Sequence, residues 1–385
     1  MNDDFHISKR VEQRILEICA EHTGPFYLYD TAIIRENCNR IMSIPYPAKS
    51  IHFAMMANSN PAFIKIVKEA GLYIFVNSTM HLDIAEKIGY HDQEIIFAAS
   101  ALDEATMTTV KNSGAILIVD SLGQLQQWSS LFPDAGVGIR CNIGELIVPK
   151  KTVAGYFLGK HSRLGITPDV ITSLKGNPQI SGLHIYVGTN ITDVNYFIDC
   201  YSCLTELAGL FPGLRFLDFG GGFGIGKEAF ETFDMKSFGL MVKKLMDRAN
   251  RIAGREISLI LEPGRMIGVN AGYFVCKAVD IKEQNDKQLI GVNASSVQFP
   301  RPLFYPEEAF HPVRILHQNG HSDGHPGMTS SIYGCSTYSR DFLARDIRIP
   351  KVFKGDIIIL GHAGAYCATA HTDFLGFPKA KEYFL

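Results

Sequence analysis

Between Ile51 and Gly264, short and nearly continuous apolar runs alternate with longer stretches of helical periodicity. Apolar runs separated by helices are typical of parallel strands that are buried on both faces. The strand candidates are Ile51–Met55, Tyr73–Val76, Ile95–Ala99, Ile116–Asp120, Val137–Asn142, Ile180–Val187, Arg215–Gly220 and Ser258–Glu262. Eight such β–α units within about 215 residues favour a closed (β/α)8 barrel, and an open doubly wound sheet is the alternative.

The sequence pattern changes after Gly272: it consists of strand-like runs and turns rich in Pro and Gly, with little predicted helix. These runs are Val275–Lys282, Gln288–Asn293, Val313–Leu316 and Val352–Leu360. The pattern predicts an antiparallel β domain. We therefore divide the chain into an N-terminal segment (1–30), a barrel (31–272) and a β domain (273–385). Within the first segment, Ile7–Ala20 is predicted to be a helix and Tyr27–Asp30 a strand that joins the β domain.

Composition excludes several classes of protein. Hydrophobic residues make up 46% and the formal net charge is 37 − 39 = −2, which argues against disorder and against a large basic surface for nucleic acid. No apolar run approaches the roughly 18 residues needed to cross a bilayer, and the start lacks a signal-peptide layout. We expect a cytoplasmic globular protein that binds neither nucleic acid nor membrane.

The metal-ligating and thiol residues form no strong motif. The eight cysteines are scattered along the chain, unlike a disulfide framework. Cys200 and Cys203 form a Cys-x-x-Cys inside a helical pattern, where two small apolar side chains are the simpler interpretation. His321 and His325 lie in a Gly/Pro-rich stretch without further ligands nearby. No metal site is predicted.

The strongest local signal is the segment Asp218-Phe-Gly-Gly-Gly-Phe-Gly224, which ends the seventh strand candidate. Consecutive glycines allow close approach of a ligand and can turn several N–H groups toward one point. In (β/α)8 enzymes the loops after strands seven and eight often bind phosphate. The segment predicts a phosphate cradle, with a merely tight turn as the alternative.

The eighth strand candidate ends in Leu261-Glu-Pro-Gly-Arg265. A carboxylate at this end of a barrel strand faces the mouth, and a buried Glu262 needs a cationic partner. A protonated pyridine nitrogen beside a phosphate site would satisfy both features and points to pyridoxal 5'-phosphate (PLP). The alternative is a structural salt bridge between Glu262 and Arg265.

At this point the chain resembles a known family. The segments that carry the resemblance are IHFAMMANSNP (51–61), GLHIYVGT (182–189), FLDFGGGFG (216–224), EPGR (262–265), RPLFY (301–305), Gly334-Cys335 and GAY (364–366). They are similar in type and order to the motifs of the fold-type III PLP-dependent decarboxylases, which include diaminopimelate and ornithine decarboxylases. The resemblance implies an alanine racemase-like architecture, and a head-to-tail homodimer with active sites at the subunit boundary.

The resemblance also implies a role for individual residues. The positions that hold the cofactor phosphate correspond to Gly220, Gly221, Gly222 and Arg265, helped by Thr189, and Tyr366 would lie close to the cofactor phosphate and the substrate. Glu262 would pair with the pyridine nitrogen. Arg301 and Tyr305 match the Arg-Pro-x-x-Tyr that grips substrate in the diaminopimelate branch. Cys335 would reach in from the neighbouring subunit and supply the proton that replaces the lost carboxylate.

The chain departs from the family at the residue that matters most for turnover. The family motif Tyr-Ala-x-Lys-Ala-Asn carries the Schiff-base lysine, and Met56 stands in its place here. A thioether cannot form an imine. The nearest lysines, Lys65 and Lys68, fall on the following helix. Met56 is either an engineered substitution that traps cofactor and substrate as an imine, or the mark of a natural non-catalytic relative. The otherwise intact motif series favours the first interpretation.

Smaller departures concern specificity. Tyr186 holds the place of the histidine that stacks on the cofactor ring, with His184 two residues earlier, and a phenol can also stack. Phe75 replaces an aspartate common in the second strand. Ser336 follows Cys335 where the family has an acid that recognises a distal ammonium, and Pro306 replaces an ornithine-type aspartate. The substrate is therefore left open: diaminopimelate-like, an amino acid without a distal ammonium, or one tethered to a carrier protein.

These features together predict PLP-dependent α-decarboxylation of an amino acid, impaired in this chain by Met56. Two rival functions remain. A PLP-dependent racemase shares the architecture, but places an arginine where Glu262 faces the ring nitrogen. A non-catalytic relative would act by binding alone.

Overall fold

The computed structural model describes residues 5–144, 147, 157–225, 233–318 and 327–385. His321 and His325 lie outside these residues. The α-helices are α1 (Lys9–Glu21), α2 (Thr31–Met42), α3 (Pro61–Glu69), α4 (Thr79–Ile88), α5 (Glu104–Ser113), α6 (Leu122–Leu131), α7 (Pro168–Ser173), α8 (Val194–Glu206), α9 (Met235–Ala253), α10 (Arg265–Gly268) and α11 (Arg301–Phe304). Among the described helices, none is both long and apolar enough to cross a membrane.

The helices around the barrel begin and end at residues with clear capping chemistry. Six of them, α3 to α6, α8 and α9, follow a residue whose side chain accepts a hydrogen bond from a free backbone N–H of the first turn: Asn60, Ser78, Asp103, Ser121, Asp193 and Asp234. Such caps stabilise a helix by about 1 kcal/mol each. Three of these helices, α4, α5 and α9, end at a left-handed glycine.

Eight strands form a closed barrel in sequence order, and every pairing is parallel. Counted after β1 (Phe26–Tyr29), they are β2 (Lys49–Ala54), β3 (Tyr73–Val76), β4 (Ile95–Ala98), β5 (Ile116–Val119), β6 (Val137–Arg140), β7 (Ile180–His184), β8 (Phe216–Asp218) and β9 (Ser258–Leu261). This confirms the predicted (β/α)8 barrel. The observed strands are up to three residues shorter than predicted at the carboxyl ends, where the chain leaves the sheet to form the mouth.

The barrel interior is filled by side chains rather than open. Ile96, Ile118, Phe216 and Ile260 form a buried cluster from four different strands. Two neighbouring strands carry a glycine at this level, and a Cβ at Gly182 would overlap the Phe216 ring. The large ring therefore occupies space that the glycines leave. Because side chains alternate along a strand, the next inward positions lie one layer closer to the mouth.

The remaining strands form a mixed sheet of a second compact unit. They are β10 (Gly272–Gln284), β11 (Lys287–Val292), β12 (Val313–Leu316), β13 (Met328–Tyr333), β14 (Phe342–Ile349), β15 (Ile357–Leu360) and β16 (Lys381–Phe384). The order is β12-β15-β10-β11-β13-β14, and β1 pairs with β10 and β16. Most pairs are antiparallel, but β11–β13 and β1–β16 are parallel. The sequence analysis did not predict β13, β14 or β16, and Val352 precedes rather than begins a strand.

By contacts, the chain divides into a barrel unit, Arg35–Met266, and a β unit formed by Met1–Ile34 with Ile267–Leu385. The β unit has its own core, in which Val11, Ile15 and Ile18 of α1 pack with Phe26 and Ile359. Cys200 and Cys203 lie within α8, as expected for a helical segment rather than a redox site.

Candidate active site

A layer of charged and polar side chains lies at the carboxyl ends of the last four barrel strands. Arg140 ends β6, His184 ends β7 and Asp218 ends β8; each is paired in register with the next. Glu262 follows directly after β9. Each of these residues lies two positions after an inward-facing position of the filled layer, namely Gly138, Gly182, Phe216 and Ile260, and therefore also points into the barrel. The strand pleat thus brings four charged or titratable groups together above an apolar floor.

Three members of this layer form a compact buried cluster. His184, Asp218 and Glu262 are at most 5% exposed. His184 Nε2 lies 3.4 Å from Glu262 Oε2. The Asp218 and Glu262 carboxyl groups are hydrogen bonded to each other, which requires that they share a proton. Within the described part of the chain, His184 Nδ1 is buried without a hydrogen-bond partner. Buried polar atoms are normally satisfied, so this cluster indicates a site for a polar ligand.

The cluster has strongly perturbed acid–base properties. Burial raises the pKa of Glu262 to about 7. Burial and the neighbouring Glu262 charge raise the pKa of Asp218 well above its ordinary value. Burial lowers the pKa of His184 to about 4. Two close carboxyl groups do not both ionise readily, so Asp218 keeps its proton to higher pH and Glu262 is the group that ionises first, near neutral pH. His184 is neutral.

Arg140 supplies the positive charge of this layer. Its side chain is partly buried, and burial lowers its pKa while the charges of Glu262 and Asp120 oppose that change. By type and spacing, His184, Asp218 and Glu262 could also ligate a metal ion. Because Asp218 keeps its proton, the cluster offers only one anionic ligand, which disfavours a divalent metal ion. A ligand with a single N–H donor suits the site better.

The glycine-rich segment after β8 forms a backbone cradle beside this cluster. Gly220 and Gly222 have φ of 63° and 97°, a region that favours glycine. A Cβ at Gly221 would overlap the carbonyl oxygen of Glu262, and one at Gly222 would overlap that of Gly188. Glu262 N donates to Gly220 O at 2.8 Å, which fixes the segment against the end of β9. In the described ranges, the N–H groups of Gly221 and Gly222 make no hydrogen bond, so they can serve an anion.

Aromatic and hydroxyl groups after β7 extend the same pocket. Tyr186 Oη and Thr189 Oγ1 are hydrogen bonded at 2.9 Å. The Tyr186 ring contacts Phe157 edge-on and lies 5.9 Å from the Arg140 guanidinium carbon. Burial raises the pKa of Tyr186, and the hydrogen bond with Thr189 and the nearby charge of Arg265 partly oppose this rise. Tyr186, Thr189 and Arg265 therefore belong to one neighbourhood, as the sequence analysis expected of cofactor-binding residues.

Met56 lies in a short 3-10 turn, Met55–Ala57, immediately after β2. Its neighbours Met55 and Ala57 are buried, whereas Met56 is only partly buried. Ala54 N donates to Pro263 O at 3.0 Å, which places this turn beside the segment that carries Glu262.

The two nearest lysines do not replace the missing amine. Lys68 Nζ donates to the carbonyl oxygens of Ile88 and Gly89 and lies 4.8 Å from the centre of the Tyr90 ring, in the helical layer. Lys65 is exposed on α3.

The other predicted site residues lie in the β unit and are described there by themselves. Cys335 is exposed and Ser336 partly buried, in the turn between β13 and β14. Arg301 is buried at the start of α11, with Nη1 3.4 Å from His311 Nε2. Tyr305, one residue after that helix, is 51% exposed. Tyr366 is partly buried with a φ of 58°.

Sequence reasoning missed three residues of the barrel layer: Arg140, Asp218 as an acid, and His184 as a partner of Glu262. A usable signal was present, because each is the last polar residue of an apolar strand at the end that faces the mouth. The combined geometry suits a ligand with a phosphate and a protonated ring nitrogen. The cradle matches the phosphate, and the buried Glu262 carboxyl matches the ring N–H, which is the chemistry expected of PLP.

Comparisons with known proteins agree with this geometry. The family described as "Pyridoxal-dependent decarboxylase, pyridoxal binding domain" matches residues 32–269, more than half of the chain. Diaminopimelate decarboxylase of Methanothermobacter thermautotrophicus is 26% identical over 382 residues, covering 95% of this chain and 88% of that protein. The enzyme of the same name from Escherichia coli K12 is 23% identical over 397 residues, covering 96% and 90%.

Solved structures show the same fold at low sequence identity. Helicobacter pylori diaminopimelate decarboxylase complexed with L-lysine has a TM-score of 0.83 and 21% identity, covering 96% of this chain and 94% of that one. Vibrio vulnificus lysine/ornithine decarboxylase complexed with cadaverine has a TM-score of 0.82 and 21% identity, covering 99% and 100%. The chain therefore belongs to the pyridoxal-dependent decarboxylases, a family of carboxy-lyases whose cofactor is pyridoxal 5'-phosphate.

Proposed function

We propose that the site is built for α-decarboxylation of an amino acid with PLP, and that Met56 strongly impairs turnover in this chain. The single observation that carries the proposal is the position of Glu262: it is a buried carboxyl one residue past β9, and its backbone N–H is hydrogen bonded to the glycine cradle. A cofactor with a phosphate and a protonated ring nitrogen needs an anion-binding cradle and an acid side by side. The alternative, a structural salt bridge with Arg265, would not require the adjoining cradle.

The barrel residues would hold and orient the cofactor. The N–H groups of Gly221 and Gly222 and the hydroxyl of Thr189 would bind the phosphate, with Arg265 supplying positive charge. Tyr186 would contact the ring. Glu262 would accept a hydrogen bond from the ring N–H and stabilise its proton. PLP, when bound, supplies an electron-withdrawing ring that accepts the electron pair released when carbon dioxide leaves Cα.

The neighbours of Glu262 would set its charge. Asp218 retains its proton more strongly than Glu262 does, so the negative charge resides on Glu262, where the ring N–H would meet it. His184 is neutral and adds no competing cation at 3.4 Å from that carboxylate. Such preorganised charge acts strongly because water is excluded from the buried layer.

The β-unit residues would act on the substrate. Following the family resemblance, Arg301 and Tyr305 would grip the substrate, Tyr366 would contact the cofactor phosphate, and the Cys335 thiol would protonate the carbon that loses its carboxylate. These roles require a homodimer in which Cys335 serves the neighbouring active site. Ser336 places a hydroxyl where the family carries an acid, which weakens recognition of a distal ammonium.

The substrate we propose is an amino acid, because the similar curated proteins are named diaminopimelate decarboxylases. Ser336 leaves three substrate forms to compare: a free diaminopimelate-like amino acid, an amino acid without a distal ammonium, and one tethered to a carrier protein. A panel of free and carrier-bound amino acids, assayed for loss of carbon dioxide by mass, distinguishes them and separates decarboxylation from racemisation, which leaves the mass unchanged.

Met56 itself favours a second candidate, a relative that binds PLP and an amine without turnover. The test is Met56→Lys, with Met56→Leu as the matched variant without an amine. If the site is a decarboxylase site, the lysine variant shows the visible absorbance of a lysine-linked cofactor and releases carbon dioxide, and the leucine variant does neither. A lysine variant that binds PLP but yields no such absorbance and no amine product would support the binding-only candidate.

A further inference from the structure

The turn that carries Cys335 is built around one buried carboxylate, that of Asp341. Asp341 is 2% exposed. It accepts hydrogen bonds from Ser336 N at 3.0 Å and from the Ser336 hydroxyl. Its own backbone carbonyl accepts from Gly334 N at 2.8 Å. The residues on both sides of Cys335 are therefore hydrogen bonded to Asp341, Gly334 through the backbone carbonyl and Ser336 through the carboxylate.

The turn also closes tightly over this carboxylate. A Cβ at Gly334 would overlap the Asp341 carboxylate, so the chain passes the acid at the closest distance that a residue without a side chain allows. Cys335 N donates to Ala294 O at 2.9 Å. This bond leaves the thiol on the outer side of the turn, where Cys335 is exposed.

The same carboxylate bonds to a second segment, the one that leads into Arg301. Ser296 N donates to Asp341 Oδ1 at 2.6 Å, and Ser295 Oγ lies 3.1 and 3.2 Å from its two oxygens. Ser295 begins a buried turn in which Gln298 N donates to Ser295 O at 2.9 Å. Helix α11, with Arg301 as its first residue, begins three residues after Gln298.

We propose that Asp341 is a positioning residue that fixes the Cys335 thiol in register with the segment carrying Arg301. It does so with four donors from two segments on one carboxylate, a number that holds the side chain and both backbones in one arrangement. This inference rests on the proposed function, since it assigns a purpose to the exact placement of the thiol that would act as acid.

Asp341 also has an electrostatic effect that suits this purpose. Burial first, and the Asp341 charge second, raise the pKa of the Cys335 thiol. A proton donor must be protonated before it acts, and a negative charge beside the thiol keeps it so. Position and protonation state thus depend on the same residue.

The test is the pH profile of Cys335 alkylation in the full-length protein, measured with iodoacetamide and mass spectrometry of the Cys335 peptide. Asp341→Asn removes the charge and should lower the midpoint, so that labelling below the midpoint is several-fold faster. Ser295→Ala keeps the charge but removes a donor that partly neutralises it, and should move the midpoint upward. Cys203, partly buried on α8, is the internal reference whose labelling should not change.

Opposite shifts distinguish this inference from simple loosening of the turn, which would speed labelling in both variants without separating their midpoints. Equal midpoints in wild type and both variants would overturn it. If Asp341→Asn does not fold, shown by fast labelling of Cys203, the Ser295→Ala midpoint alone decides. Because no arm measures carbon dioxide, failure here is distinct from failure of the Met56→Lys test.

Discussion

Replacing Glu262 with glutamine should stabilise the cofactor-free barrel in a pH-dependent way while weakening PLP binding. The carboxyl is buried, and burial raises its pKa from an ordinary 4.5 to about 7 in the folded chain. A raised acid pKa means that the folded state holds its proton more tightly than the unfolded state. The stability from this group is therefore present below about pH 4.5 and lost as pH rises through 7.

The size of the effect follows from the two pKa values. A difference of one in pKa corresponds to about 1.4 kcal/mol, so ionising Glu262 in the folded chain costs about 3 kcal/mol above pH 7. At pH 5 most of that cost is absent, because folded Glu262 keeps its proton. A buried glutamine amide is uncharged at both pH values, so the variant has no such ionisation cost. Glu262→Gln should thus gain about 2–3 kcal/mol relative to wild type between pH 5 and pH 8.

The assay is thermal unfolding of cofactor-stripped protein at pH 5 and pH 8, followed by the fluorescence of Trp128, the single tryptophan, which is buried on α6 in the barrel. The wild-type-to-variant difference in melting temperature should grow by roughly 4–12 °C toward pH 8. The exposed Glu256→Gln is the matched control, because its carboxylate is in water in both states. A Glu262→Gln difference that is flat with pH, or larger at pH 5, would refute the argument. With PLP added, wild type should gain more stability than the variant.

Two further variants test the floor and the cradle. Phe216→Ala should lower the free energy of unfolding of the barrel by about 3–5 kcal/mol, because the neighbouring glycines cannot fill the cavity. The measurement is a denaturant titration followed by Trp128 fluorescence. Phe374→Ala, at a site that is 65% exposed, is the control, and an equal loss of stability in both variants would contradict a filled interior. Gly221→Ala should weaken PLP binding more than about tenfold in absorbance titrations, because its Cβ would displace the carbonyl of Glu262. The helical Gly123→Ala should leave binding unchanged, and unchanged binding in both would argue against the cradle.

The barrel was predictable because its signal is local and repeated. Each strand is a short apolar run and most of the barrel helices have a capping residue, so all eight strands were located to within a few residues. The β unit was harder because its sheet depends on distant pairings. The strand β13 pairs in parallel with β11 some forty residues earlier, and β16 pairs with β1 from the other end of the chain. Nothing in the periodicity of Met328–Tyr333 or Lys381–Phe384 specifies such partners.

The candidate site divides along the same line. Glycines and Glu262 were found because their residue types are unusual at the ends of strands. Asp218, His184 and Arg140 were missed as a group because only the barrel register brings them together. Asp341 was missed for the same reason. It lies six residues from Cys335 in sequence, but its proposed positioning role depends on hydrogen bonds from Ser295 and Ser296, more than forty residues away.

We expect Met56 to affect turnover in this chain more than it affects cofactor binding. The groups proposed to hold PLP are the N–H groups of Gly221 and Gly222, the Thr189 hydroxyl, Arg265 and Glu262, and none of them depends on an amine at position 56. A lysine there would add covalent attachment and proton transfer, which are chemical steps rather than binding contacts. Because the methionine preserves an unbranched stem in the same turn, it removes those steps with little change in volume. Glu262 is then the telling feature: burial raises its pKa to about 7 although Asp218 and Arg140 favour the charged form, and a ligand with a protonated ring nitrogen would stabilise that charge further.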